Sequence, residues 1–152
     1  ADSINDSFSR IRWAGRLEKL SPNIFYDVAH NYSGIKAMVN FFTELFPDKN
    51  LYGLFALKGD KDAHLVFKML KKNFERLLVT SDQEGLLIPE LKLSQKLHKN
   101  RVSNFPISSV KDGISEIKKL TKKDGIGIIF GTHYIAKEVY KEFDLSFDRA
   151  LI

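Results

Sequence analysis

Two rhythms of apolar residues succeed one another along the chain. Ile24-Phe25-Tyr26 is an unbroken apolar run ending on the carboxylate of Asp27, the pattern of a strand covered on both faces. It gives way to Ile35, Met38, Val39, Phe42, Leu45 and Phe46, which keep the i, i+3, i+4, i+7 spacing of an amphipathic helix. Asn31 or Ser33 is placed to cap its first turn. The alternation then repeats. Residues 51–57 predict a second buried strand, and Ala63, Val66, Phe67 and Leu70 the inner face of a helix. Residues 77–80 predict a third strand. The stretch 81–100 is less regular, with Pro89 opening a short helix through Leu91 and Leu97. Residues 101–105 read as a short strand. Ser108 or Ser109 caps a helix with Val110, Ile114, Ile117 and Thr121 inward. Residues 126–130 form the last strand, and Ile135, Val139 and Phe143 mark the last helix.

Ahead of Ile24, Leu17-Glu18-Lys19-Leu20 alternates and Ser21-Pro22-Asn23 makes a turn. Two extended pieces around a three-residue turn predict a hairpin, hence one antiparallel edge strand. The fold class expected is α/β: a Rossmann-like three-layer domain whose mostly parallel sheet carries an antiparallel edge hairpin. Residues 1–11, polar and serine-rich, read as a linker or tail, and 12–152 as one domain.

Composition narrows the picture. Twelve phenylalanines among 152 residues supply a real core. The absence of cysteine excludes a disulfide framework and thiolate chemistry. No apolar run approaches the ~18 residues of a membrane span, and the first residues have no signal-peptide core; a cytoplasmic protein without membrane contact is expected. The formal charge of +5 comes mostly from scattered lysines. Its densest cluster, Lys118, Lys119, Lys122 and Lys123, reads as a solvated helix face, so no nucleic-acid partner is expected.

Candidate chemistry lies in three polar turns, 27–33, 58–62 and 131–134, each following an apolar strand. In a parallel sheet all three emerge on one edge, where ligands of open α/β sheets bind, and together they could hold a small anion. Each residue has a plainer alternative. Asp27 could bond nearby backbone amides, and His30 could be an ordinary loop histidine. Lys61 could be an exposed lysine, although a cation at a helix start is mildly unfavourable without an anion. The four histidines lack metal-ligand spacing, so no metal site is expected. A GxxxxGK[ST] phosphate loop and a GxGxxG fingerprint are both missing.

Four segments carry a resemblance: Trp13-Ala14-Gly15-Arg16-Leu17-Glu18, Asp27-Val28-Ala29-His30-Asn31, Asp60-Lys61-Asp62 and Gly131-Thr132-His133-Tyr134. In order and spacing they resemble the C-terminal domain of the folylpolyglutamate synthase/dihydrofolate synthase branch of the Mur ligase family. The resemblance implies an ATP-dependent ligase joining L-glutamate to a folate or dihydropteroate carboxylate through an acyl phosphate. A central ATPase domain, absent from this chain, would carry the phosphate loop and the Mg2+ ligands. By the same resemblance Arg16 and Asp27 contact ATP, and His30 and Asn31 lie beside the reaction centre as catalytic residues. Lys61 and Thr132 hold the incoming glutamate. A monomer is expected, and the isolated domain is expected to be inactive. The chain departs from the family in having Ala14 and Tyr32 where proline is usual, and Thr132 where serine is common. The alternatives are a stand-alone Rossmann-like module binding a nucleotide or small anion, and another Mur-family amide ligase.

Overall fold

The computed structural model describes residues 14–59 and 63–145. The predicted linker over 1–11, Trp13, the Asp60-Lys61-Asp62 turn and the tail beyond 145 lie outside the described residues. In chain order the elements are β1 (Glu18–Ser21), β2 (Ile24–Asp27), α1 (Tyr32–Leu45), β3 (Asn50–Phe55), α2 (Ala63–Leu70) and β4 (Arg76–Val79). Then follow α3 (Glu90–Lys99), β5 (Phe105–Pro106), α4 (Val110–Leu120), β6 (Gly125–Phe130) and α5 (Ala136–Lys141).

The strands form one sheet in the order β1-β2-β6-β3-β4-β5. Only the β1–β2 pair is antiparallel, so the edge hairpin is where the sequence places it. Side chains on successive residues of a strand point to opposite faces, and the core splits accordingly. Phe25, Leu51, Phe55, Leu77, Val79, Ile128 and Phe130 face α1, α2 and α3. Ile24, Tyr26, Leu54, Leu78 and Ile129 face α4 and α5. This is the three-layer arrangement the alternation predicts.

Two sequence expectations are corrected. The strand predicted over 101–105 shrinks to Phe105–Pro106. Residues 100–102 instead close α3: Arg101 takes a left-handed φ of 61°, and the Val102 amide returns to the Leu97 carbonyl at 2.9 Å. In α3 the buried residues are Leu93, Ser94 and Leu97, while Leu91 is exposed. Elsewhere the predicted caps hold. Asn31 accepts from the Gly34 amide at 2.8 Å, and Ser109 from the Asp112 amide at 3.1 Å. β5 is the second edge of the sheet, and the Arg76 guanidinium lies 5.0 Å from the centre of the Phe105 ring.

Directly after β6, Gly131 holds a φ of 112°, and a Cβ there would lie 2.0 Å from the Ala56 carbonyl oxygen. Only glycine satisfies both conditions. Gly131→Ala is therefore expected to destabilise the fold by about 3–5 kcal/mol, the sum of backbone strain and overpacking. Urea unfolding measures it; a loss below about 1 kcal/mol would contradict the assignment.

Candidate functional site

The register of the parallel strands builds the site. Asp27, Phe130 and Phe55 are partners in one row, and Phe55 is in turn paired with Val79. The turns after β2, β3 and β6 consequently leave the sheet side by side. They enclose an open cleft of about 950 Å³ lined by residues of all three turns. His30, Asn31 and Ser33 come from the first, Lys58 and Gly59 from the second, and Thr132, His133 and Tyr134 from the third. Leu65 of α2 and Leu86 form an apolar part of its rim.

Local chemistry fixes each turn. Asn31 ends the first as the cap of α1, a helix with no acidic residue in its first turn. His30 is exposed, with Nδ1 3.3 Å from the Val28 carbonyl. In the third turn the Thr132 hydroxyl oxygen accepts from the Tyr134 amide at 3.0 Å, and the Thr132 carbonyl accepts from the buried Tyr26 hydroxyl at 2.8 Å. The Lys58 ammonium reaches across to the third turn, donating to the Tyr134 hydroxyl at 2.9 Å and lying 4.6 Å from its ring centre. The loop supplying Leu86 is shaped by Asp82, whose carboxylate accepts from the amides of Leu86 and Leu87 at 2.9 and 3.0 Å.

Arg16 and Asp27 stand to the side, at the edge hairpin. Asp27 is buried, and its two carboxylate oxygens accept from Leu17 N at 3.0 Å and Ala29 N at 2.8 Å. The local backbone use open to an aspartate in a turn is therefore present, and Asp27 is not part of the cleft lining. Arg16 is exposed. Behind it, Glu18 is buried, and one of its oxygens, Oε1, accepts from Gly15 N at 3.1 Å and from the Tyr140 hydroxyl at 2.6 Å. Burial and the bond to Glu18 push the Tyr140 hydroxyl above its usual pKa, and burial does the same for Tyr26. Both therefore stay protonated and can donate.

Of the residues predicted from sequence, His30, Asn31 and Thr132 meet in the cleft. Lys61 falls outside the described residues. Lys58, His133 and Tyr134 also line the cleft but were not singled out; their signal was membership of the same strand-end turns. Among the described residues no group of three or more His, Cys, Asp or Glu could hold a metal ion. No helix among them is long and apolar enough to cross a membrane.

Burial raises the Asp27 pKa above the usual carboxylate range, although the amides of Ala29 and Leu17 and the charge of Arg16 each pull it down. A carboxyl with a raised folded pKa stabilises the fold below its unfolded pKa, and that contribution is lost as pH rises through the folded value. Arg16→Ala removes one of the lowering influences, so the Asp27 midpoint is expected to rise further. Carboxyl-carbon NMR titration of the two proteins reads this directly; an unchanged or lower midpoint would contradict it.

A family model, Mur ligase, glutamate ligase domain, matches residues 15–133. The chain is 26% identical over 137 residues to the dihydrofolate synthase/folylpolyglutamate synthase of Buchnera aphidicola subsp. Schizaphis graminum, covering 89% of this chain and 32% of that protein. In structure it is similar to Mycobacterium tuberculosis folylpolyglutamate synthase complexed with ADP and AMPPCP, at a TM-score of 0.72 and 23% identity. That match covers 93% of this chain and 35% of the other. It is also similar to the bifunctional synthase of Yersinia pestis c092 complexed with AMPPNP and a Mn ion, at a TM-score of 0.74 and 18% identity, covering 87% of this chain and 32% of the other. At these identities the two structures speak for the fold. The chain spans about a third of the length of the relatives it matches. With the model matching from the Arg16 turn through the Thr132 turn, the chain belongs to the Mur ligase family, as its C-terminal, glutamate ligase domain.

Proposed function

We propose that this domain is the closing domain of an ATP-dependent ligase that joins L-glutamate to a folate or dihydropteroate carboxylate. In that reading a longer parent protein supplies a central ATPase domain with the phosphate loop and Mg2+ ligands. The observation that carries it is the convergence of three turns on one cleft lined by His30, Lys58 and His133, with no carboxylate in the lining among the described residues. Such a cleft suits an anionic substrate, and the amino end of α1, without acidic residues, favours negative charge in the same place.

ATP would phosphorylate the folate carboxylate, releasing ADP; the glutamate amine would then attack the acyl carbon, phosphate would leave, and an amide would remain. An acyl phosphate must be kept from water until the amine arrives, and a closing domain does this while placing the nucleophile. In this scheme the exposed guanidinium of Arg16 binds phosphate oxygens. Asp27, each of whose oxygens already accepts one amide, keeps a further lone pair on each for a donor of the nucleotide. His30 and Asn31 sit at the mouth of the cleft, beside the reacting groups. Thr132 and Lys61 hold the carboxylates of glutamate.

The test is turnover by the full-length protein: ADP release that requires both L-glutamate and the folate or dihydropteroate acceptor. ADP release independent of either would reject the reading. The isolated domain is expected to show no glutamate-dependent ATP hydrolysis. In the full-length protein Lys61→Ala is expected to raise the KM for glutamate about 10- to 150-fold, the worth of one charge-assisted hydrogen bond, with the KM for ATP nearly unchanged. A glutamate KM within about twofold of wild type would leave Lys61 with a surface pairing role only.

A further inference from the structure

Two buried hydrogen-bonded pairs, joined by a contact between tyrosine rings, link the turn that carries Arg16 to the turn that carries Thr132. Glu18, 6% exposed, bonds the Gly15 amide and the Tyr140 hydroxyl through the single oxygen Oε1. The Tyr140 ring meets the Tyr26 ring edge-on at 5.8 Å, and the Tyr26 hydroxyl bonds the Thr132 carbonyl. Taking a carboxylate out of water is costly, and apolar side chains of similar volume would pack the same space without that cost.

The turn being held is itself unfavourable. Leu17 holds a φ of 48°, in a region that costs a residue with a Cβ about 1–2 kcal/mol, while Gly15 at a φ of 69° takes the left-handed region freely. Strained backbone persists where its surroundings over-determine it. Here three anchors do so: Glu18 on the Gly15 amide, Asp27 on the Leu17 amide, and the Val28 amide on the Gly15 carbonyl at 2.7 Å. Arg16 lies between Gly15 and the strained Leu17, with its side chain in solvent.

We propose that Glu18 and Tyr140 are positioning residues, whose hydrogen bond fixes the 15–18 turn so that Arg16 is displayed at a set place relative to the 131–134 turn. Tyr140 suits this task because α5 follows the 131–134 turn almost directly, so the bond ties the two turns to one body. The inference rests on the reading of Arg16 as a nucleotide contact.

A double-mutant cycle in the full-length ligase separates positioning from packing. Tyr140→Phe keeps the ring and removes only the hydroxyl. It is expected to raise the KM for ATP about three- to tenfold, on the scale of one net hydrogen bond, with the glutamate KM within about twofold. In an Arg16→Ala background the same change is expected to add nothing to the ATP KM. Glu18→Gln keeps an oxygen that can accept both bonds and should stay near wild type, whereas Glu18→Ala, which also frees the Gly15 amide, should raise the ATP KM at least as far as Tyr140→Phe. Equal effects of Tyr140→Phe with and without Arg16 would overturn the proposal, as would an unchanged ATP KM in Tyr140→Phe when Arg16→Ala raises it. An ATP KM unmoved by Arg16→Ala would instead reject the nucleotide reading itself, and the inference with it. If Tyr140→Phe fails to fold, Glu18→Ala carried through the same cycle gives the decision.

Discussion

β6 lies between β2 and β3 and pairs with both in parallel, and the three strands end on a common row of residues, Asp27, Phe130 and Phe55. Everything at the cleft depends on that shared ending. Three strand-to-helix turns start at the same height and so can face one ligand. A slip of one residue in either pairing would invert the faces of a strand whose residues are buried on both sides. The row is therefore strongly specified by packing, and the chemistry inherits its alignment. Gly131 shows how closely the chain is folded there, since it turns against the Ala56 carbonyl with no room for a side chain.

Charge is distributed on two levels around this edge. Among the described residues the cleft lining carries His30, Lys58 and His133 and no carboxylate. Glu18 and Asp27, at the edge hairpin, are buried and turned to backbone amides and, for Glu18, a tyrosine hydroxyl. The strain of the hairpin is absorbed by neutral donors and buried acceptors.

Most of the frame was legible in the sequence because each element has its own periodic signal. The period of α1 and the apolar runs of β2, β3 and β6 identify them without knowledge of their neighbours. β5 was misplaced because two paired residues carry no period, and because the left-handed Arg101 is set by the closure of α3 rather than by a turn residue such as glycine. Convergence of the polar turns was readable from topology, which brought His30, Asn31 and Thr132 together correctly. The Glu18–Tyr140 bond was not readable. It spans 122 positions, and a glutamate in an alternating segment reads as solvent-facing. The same limit hid the two amides that occupy Asp27, since a strand-end carboxylate has the same local pattern whether it serves backbone or ligand.

The far edge of the sheet has a consequence of its own. A free strand edge invites pairing with a strand of another molecule, and proteins blunt such edges by shortness, proline and charge. β5 has all three: it is two residues long, Pro106 has no amide hydrogen to offer, and the guanidinium of Arg76 covers the exposed ring of Phe105. Concentrated solutions of this domain are thereby guarded against runaway sheet extension at the β5 side, even though a large phenylalanine stands in the open there.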